Sequence, residues 1–230
     1  MGRLEKLFGK RDRGTKAAST ESRSETDGAR RILGEKNVFG PDEWKKFFGK
    51  KFQVTSVPEI PWSVDVLGNP GIDQEHFLFL GLDVLGGEPL DIAAWDKLYP
   101  GDGDPKLYWI PWNKQTFARR TCELRWYLVL FCFDKHWAPY DNLFALLPNT
   151  YEVPGITELV TATVLYYLLN KKYPDTECWM AYTRDKTNDG YRAIFRTTAA
   201  DGAQIIDNLR LDDAGDMLNT LGIAASRKLP

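Results

Sequence analysis

The end of the chain constrains its fold most. Two runs rich in aromatic and branched residues, Trp179–Arg184 and Tyr191–Thr197, flank Asp185-Lys186-Thr187-Asn188-Asp189-Gly190. Asn-Asp-Gly supplies positive φ cheaply, so the pattern predicts a tight β-hairpin. A second turn is expected at Asp201-Gly202, after which Ile205 and Ile206 resume pairing. Asp207 to Asn219 has no sustained period of two or of 3.6, and Leu221-Gly222-Ile223-Ala224-Ala225-Ser226 then returns to a small-residue strand. Paired strands on both sides of an Asp/Asn-rich irregular segment suit a scaffold that displays a surface loop better than they suit a catalytic cleft.

Charge divides the chain. Residues 1–52 carry fourteen Lys/Arg against eight Asp/Glu, net +6, whereas the remaining 178 residues are net −8. Arg11 to Arg30 lacks aromatic and β-branched aliphatic residues and reads as a linker, because it has little apolar surface to offset its ordering entropy. Leu4, Leu7 and Phe8, among Arg3, Lys6 and Lys10, form a short apolar stripe with basic flanks. Such a turn suits a membrane surface, a nucleic acid or a partner protein, or it is a frayed, solvated terminus. Residues 1–38 are therefore expected to be a basic, largely disordered arm, available for attachment to a larger assembly.

From Phe39 the chain reads as folded, and 43% hydrophobic residues over 230 suffice for a sizeable core. Pro41 at a first helical position, Asp42 and Glu43 behind it, and Gly49 as a stop predict a short helix whose Trp44, Phe47 and Phe48 share one face. Val57 to Trp62 holds two prolines and reads as an extended connector. Strands are expected at His76–Leu82, Leu107–Trp112 and Leu124–Phe133, the third nearly all apolar and so central. Helices are expected over Leu90 to Leu98, beginning near Asp91, and over Ile156 to Lys172, the latter apolar on more than one side. The expected class is α+β: a mostly antiparallel sheet with two or three helices in a single domain, 39–230, whose display region is 178–230.

Several function classes lose support. Three cysteines, Cys122, Cys132 and Cys178, form an odd set without CxxC spacing, which disfavours a disulfide framework and a structural zinc site. Asp102 and Asp104 lack the glutamate that closes a calcium loop, and Pro105 follows them. No HExxH, GxSxG, GxGxxG or phosphate-binding glycine loop occurs, so no cofactor is expected. His76, beside Glu75, and His136, beside Asp134, are the two imidazoles available for general-base work; the alternative for each is a structural role at a strand end. The longest strongly apolar run, Val160 to Leu169, is about half a bilayer span. No secretory signal is read at the N-terminus, and synthesis in the cytoplasm is expected.

Met180-Ala181-Tyr182-Thr183-Arg184-Asp185, Asn188-Asp189-Gly190-Tyr191-Arg192-Ala193-Ile194-Phe195, Asp201-Gly202 and Leu221 to Lys228 together resemble the end of bacterial proteins with C-type-lectin-like folds of the formylglycine-generating-enzyme style. These include the variable proteins of diversity-generating retroelements. The resemblance covers about the last fifty residues. It implies that ligand-contacting residues lie just before the closing strand, at Asn208, Arg210, Asp212, Asp213, Asp216 and Asn219, and that adenine-directed mutagenesis of Asn codons shaped them. The catalytic cysteine pair of the formylglycine enzymes has no counterpart near the terminus, so oxidase chemistry is not implied.

Three functions are thus distinguished. The first is a non-catalytic module presenting Asp207–Asn219 to a protein or glycan ligand. The second is a small hydrolase or transferase using His76 with Glu75. The third is a nucleic-acid-associated protein acting through the basic arm, against which the acidic body argues.

Overall fold

The computed structural model describes residues 14–69, 75–100, 104–105, 107–109, 115–134, 144–174, 180–186, 192–198, 202–206 and 221–230. Helix α1, Gly14–Leu33, leads into β1, Val38–Phe39, and α2, Pro41–Phe48. Helix α3, Val64–Gly68, precedes strand β2, Phe77–Leu80, the small ribbon β3, Val84–Leu85, with β4, Glu88–Pro89, and helix α4, Ile92–Leu98. Strands β5, Leu107–Trp109, β6, Trp126–Asp134, and β7, Tyr151–Glu152, come before helix α5, Ile156–Asn170. The chain then returns to strands: β8, Met180–Lys186, β9, Arg192–Thr198, β10, Gly202–Ile206, and β11, Leu221–Arg227.

The class is α+β, built on one large mixed sheet ordered β1-β2-β6-β11-β8-β9-β10-β5, with β7 added beside β11. Among the described residues five of its pairings are antiparallel, β2 with β6, β6 with β11, β7 with β11, β8 with β9 and β9 with β10. The other three, β1 with β2, β5 with β10 and β8 with β11, are parallel, which no short-range pattern in the sequence announces. The β8–β9 hairpin forms with Met180 opposite Arg196 and Tyr182 opposite Ile194. Its turn, and the one at Asp201, lie outside the described residues.

Local chemistry sets the helix ends. Pro41 opens α2, and Gly49, at φ 55°, closes it while its N–H donates to the Lys45 carbonyl. The Asp91 carboxylate accepts from Ala94 N at 2.9 Å and caps α4. At both α2 and α5 a glutamate at the third helical position reaches back to the residue before the helix. Gly40 N donates to Glu43 Oε2 at 2.7 Å, and Gly155 N donates to Glu158 Oε2 at 2.9 Å.

The core is aromatic and its indoles are satisfied. Trp44, Trp95 and Trp126 are fully buried with Phe39, Phe77, Phe79 and Phe117. Their N–H groups donate to the Leu80 carbonyl, the Thr161 hydroxyl and the Pro58 carbonyl at 2.9, 2.9 and 2.8 Å. Each ring therefore contributes its apolar area without leaving a buried donor unpaired. The contact at Pro58 also ties the expected extended connector to β6.

The expected disordered arm needs correction. Part of the stretch read as a linker lies in α1, whose last turns bury Thr26, Ala29 and Arg30, and Val38 pairs with Leu78. The stabilising contacts are long-range: Arg30 binds both oxygens of Glu43, at 2.7 and 2.8 Å, and Thr26 lies against Gly40. Composition undervalued this segment because its partners lie elsewhere in the chain: Ala29 enters the hydrophobic core, and Arg30 pairs with a carboxylate on the next helix. Residues 1–13 lie outside the described residues.

Candidate functional site

The six residues expected to contact a ligand, Asn208, Arg210, Asp212, Asp213, Asp216 and Asn219, lie outside the described residues. What surrounds them is described. Strand β10 ends at Ile206 and β11 begins at Leu221. Both run in the direction of β8, since β8 and β10 are each antiparallel to β9 and β11 is parallel to β8. Two strands, β8 and β9, separate them in the sheet. Strand β11 is internal, with Ile223, Ala224, Ala225 and Ser226 all buried.

A polar cluster joins β8 to the start of α5. The Asp185 carboxylate on β8 accepts from Ile156 N at 2.7 Å through one oxygen and pairs with Arg120 through the other. Glu158 pairs with Arg184, and the Arg125 guanidinium lies 4.0 Å from the same carboxylate. Both acids are buried. Burial pushes the Glu158 carboxyl upward, although Arg184, the Gly155 amide and Arg125 all pull it down. Burial alone would lower the Arg184 guanidinium, and Glu158, Glu152 and Asp185 together raise it. Gly155 permits the close approach, because a Cβ there would stand 2.9 Å from Asp185 Oδ2. Three sequence segments, around 120, 155 and 185, are thereby locked to one another.

Cys122 lies in the same region and is buried. Desolvation first, and the nearby Glu158 charge second, push its thiol up to about 12. At neutral pH it is therefore a protonated core thiol and a poor nucleophile.

His76 is also buried, and its Nε2 shares a 2.8 Å hydrogen bond with Tyr151 Oη. Glu75, expected beside it as a partner, is exposed and accepts instead from Asn37 Nδ2 at 2.6 Å. The alternation of a strand entry accounts for this, since consecutive side chains point to opposite sides. His136, Cys178 and Asp102 lie outside the described residues. Among the described residues no group of three or more His, Cys, Asp or Glu is arranged to hold a metal ion, and no helix is long and apolar enough to cross a membrane.

The Glu158, Arg184, Asp185 and Arg120 cluster was not singled out from sequence. One signal was present: Glu158 is an acid in the otherwise uncharged run Ile156 to Asn170, three residues after a glycine. No family model matches the chain, and neither does any curated protein or solved structure.

Proposed function

We propose that this chain is a non-catalytic binding protein that presents segment 207–219 to a protein or glycan ligand, in the manner that its resemblance to C-type-lectin-like variable proteins implies. One observation carries the reading: the segment is anchored at both ends on a single sheet, at Ile206 of β10 and Leu221 of β11, with two strands between. A segment tethered to rigid strands loses less conformational entropy on binding than one at a free end, which favours recognition by a few polar contacts. Supporting it, Ile223, Ala224, Ala225 and Ser226 of the strand that follows the segment are buried, so its far end is fixed in the interior of the sheet.

The test is binding of the full chain to immobilised glycan and cell-surface-protein arrays, compared with the triple variant Asp212→Ala, Asp213→Ala, Asp216→Ala. Capture should be lost by the triple variant while its Tm moves by no more than a few degrees, about 2–4 °C per kcal/mol for a chain of this size. Equal capture by both proteins would sink the reading. Sequences of sibling proteins from one strain and its relatives supply a second check, because substitutions should concentrate at positions 208–219.

A further inference from the structure

Strand β7 is attached to the sheet by a short contact. Among the described residues it pairs with β11 alone, Glu152 opposite Ser226 and Tyr151 opposite Arg227. Tyr151 packs with Leu130, Ala225 and Leu147 in a small cluster separate from the main core. The turn before it is closed by Tyr151 N, which donates to the Pro148 carbonyl at 2.8 Å, and by Lys228 N, which donates to the Thr150 carbonyl at 2.9 Å. An element held this way can open locally without unpacking the main core.

Three polar side chains meet at this point. His76 Nε2 lies 2.8 Å from Tyr151 Oη, and both side chains are buried. Arg227 hydrogen-bonds the same phenol, its guanidinium carbon 5.1 Å from the ring centre. Burial pushes the Tyr151 phenol up despite the pull of Arg227, so the phenol keeps its proton at neutral pH. A guanidinium only donates, so the phenol oxygen accepts from Arg227 and has its own O–H to give. Glu152, next on β7, lies 3.9 Å from the Arg184 guanidinium, and Glu75, beside His76 in the chain, accepts from Asn37. Asp73 and the Asp134 side chain lie outside the described residues.

We propose that the Tyr151 O–H donates to a neutral His76 and that this pair is an acid-sensitive latch holding β7 on the sheet. A second proton on the imidazole would turn Nε2 into a donor facing an oxygen that already accepts from a cation. It would also leave the phenol O–H without its acceptor and bring two buried positive charges together. The latched state therefore takes that proton less readily than the opened one, whose imidazole titrates near its ordinary value of about 6.5. Below that pH the opened state binds more protons, so the latch stabilises β7 above about pH 6.5 and weakens as pH falls.

The experiment is NMR on the full chain, with 15N-labelled histidine and backbone, between pH 7.5 and 5.5. At pH 7.5 the His76 ring should show the neutral tautomer protonated on Nδ1. Corrected for intrinsic exchange, protection of the Tyr151 and Lys228 amides should fall about tenfold by pH 5.5, while amides of the β2–β6 ladder keep theirs. His76→Gln retains an acceptor for the phenol without titrating, and should abolish that pH dependence. An Nε2–H tautomer at pH 7.5 would overturn the proposal, as would an imidazolium, the state that a carboxylate on Nδ1 favours. So would wild-type protection that does not change with pH, or an equal change in folded His76→Gln. The wild-type tautomer and protection decide the matter even if His76→Gln fails to fold.

Discussion

At the first turn of α5 one carboxylate has two roles: Glu158 accepts from Gly155 N with one oxygen and pairs with Arg184 through the other. Because burial raises its pKa, the native state holds this proton to higher pH than the unfolded chain does. In the window opening at the ordinary glutamate value of 4.5 the native state thus binds more protons, and this group's contribution to stability falls as pH rises. Urea denaturation between pH 4 and 8 should show that downward contribution in the wild type and its absence in Glu158→Gln. Parallel pH profiles for the two proteins would refute the assignment. Gly81 makes a steric prediction at the same scale. A Cβ there would stand 2.5 Å from Tyr127 Cε2 and 2.8 Å from the Glu123 carbonyl oxygen. Since one of these is backbone and the Tyr127 ring is itself buried, Gly81→Ala should cost about 1–3 kcal/mol in chemical denaturation, without affecting ligand capture.

Among the elements, α4 depends on its Asp91 cap. Asp91→Ala removes the acceptor for Ala94 N and should lower stability by about 1 kcal/mol, read as a shift in the urea midpoint at constant m. Asp91→Asn should recover most of the loss. Legibility followed the same division between local and distant causes. Helix α2 was readable because Pro41 and Gly49 mark its ends, and the β8–β9 hairpin because Asn188-Asp189-Gly190 is the kind of turn that twisted strands require. Strand β6 was readable as central from its unbroken apolar run, and it does lie between β2 and β11. The parallel pairing of β8 with β11 was not readable, since neither strand's residues specify a partner some forty positions away. Helix α1 was misread for the related reason that Arg30 gains its stability from Glu43, outside the segment. The same limit hid the polar cluster: Glu158 stands out as the one acid of an uncharged run, but Arg120 and Asp185 look like ordinary surface residues until α5 and β8 bring them together.

For the whole molecule the decisive element is the last strand. Strand β11 joins two halves of the sheet, β1-β2-β6 on one side and β8-β9-β10-β5 on the other. Its small residues fit that position: Ala224 enters the main core, while Ala225 packs on the opposite side with Leu130 and Tyr151. Deleting residues 221–230 would leave inner edges of β6 and β8 unpaired, each exposing ladder donors and acceptors. It would also remove the partner of β7, and with it the Arg227 contact to Tyr151. These losses fall on both halves at once, so they should not be confined to the C-terminal part. The 1–220 chain is expected to lose its near-ultraviolet circular dichroism and its cooperative thermal transition, and to run as aggregate in size-exclusion chromatography. Buried Trp44 and Trp126, on the N-terminal side of the junction, provide the reporter, because their fluorescence should shift to the red in the truncated chain. If those indoles instead remained in a native-like environment, the β1-β2-β6 half would be folding by itself. The closing strand would then be an addition to a finished domain and not its central member.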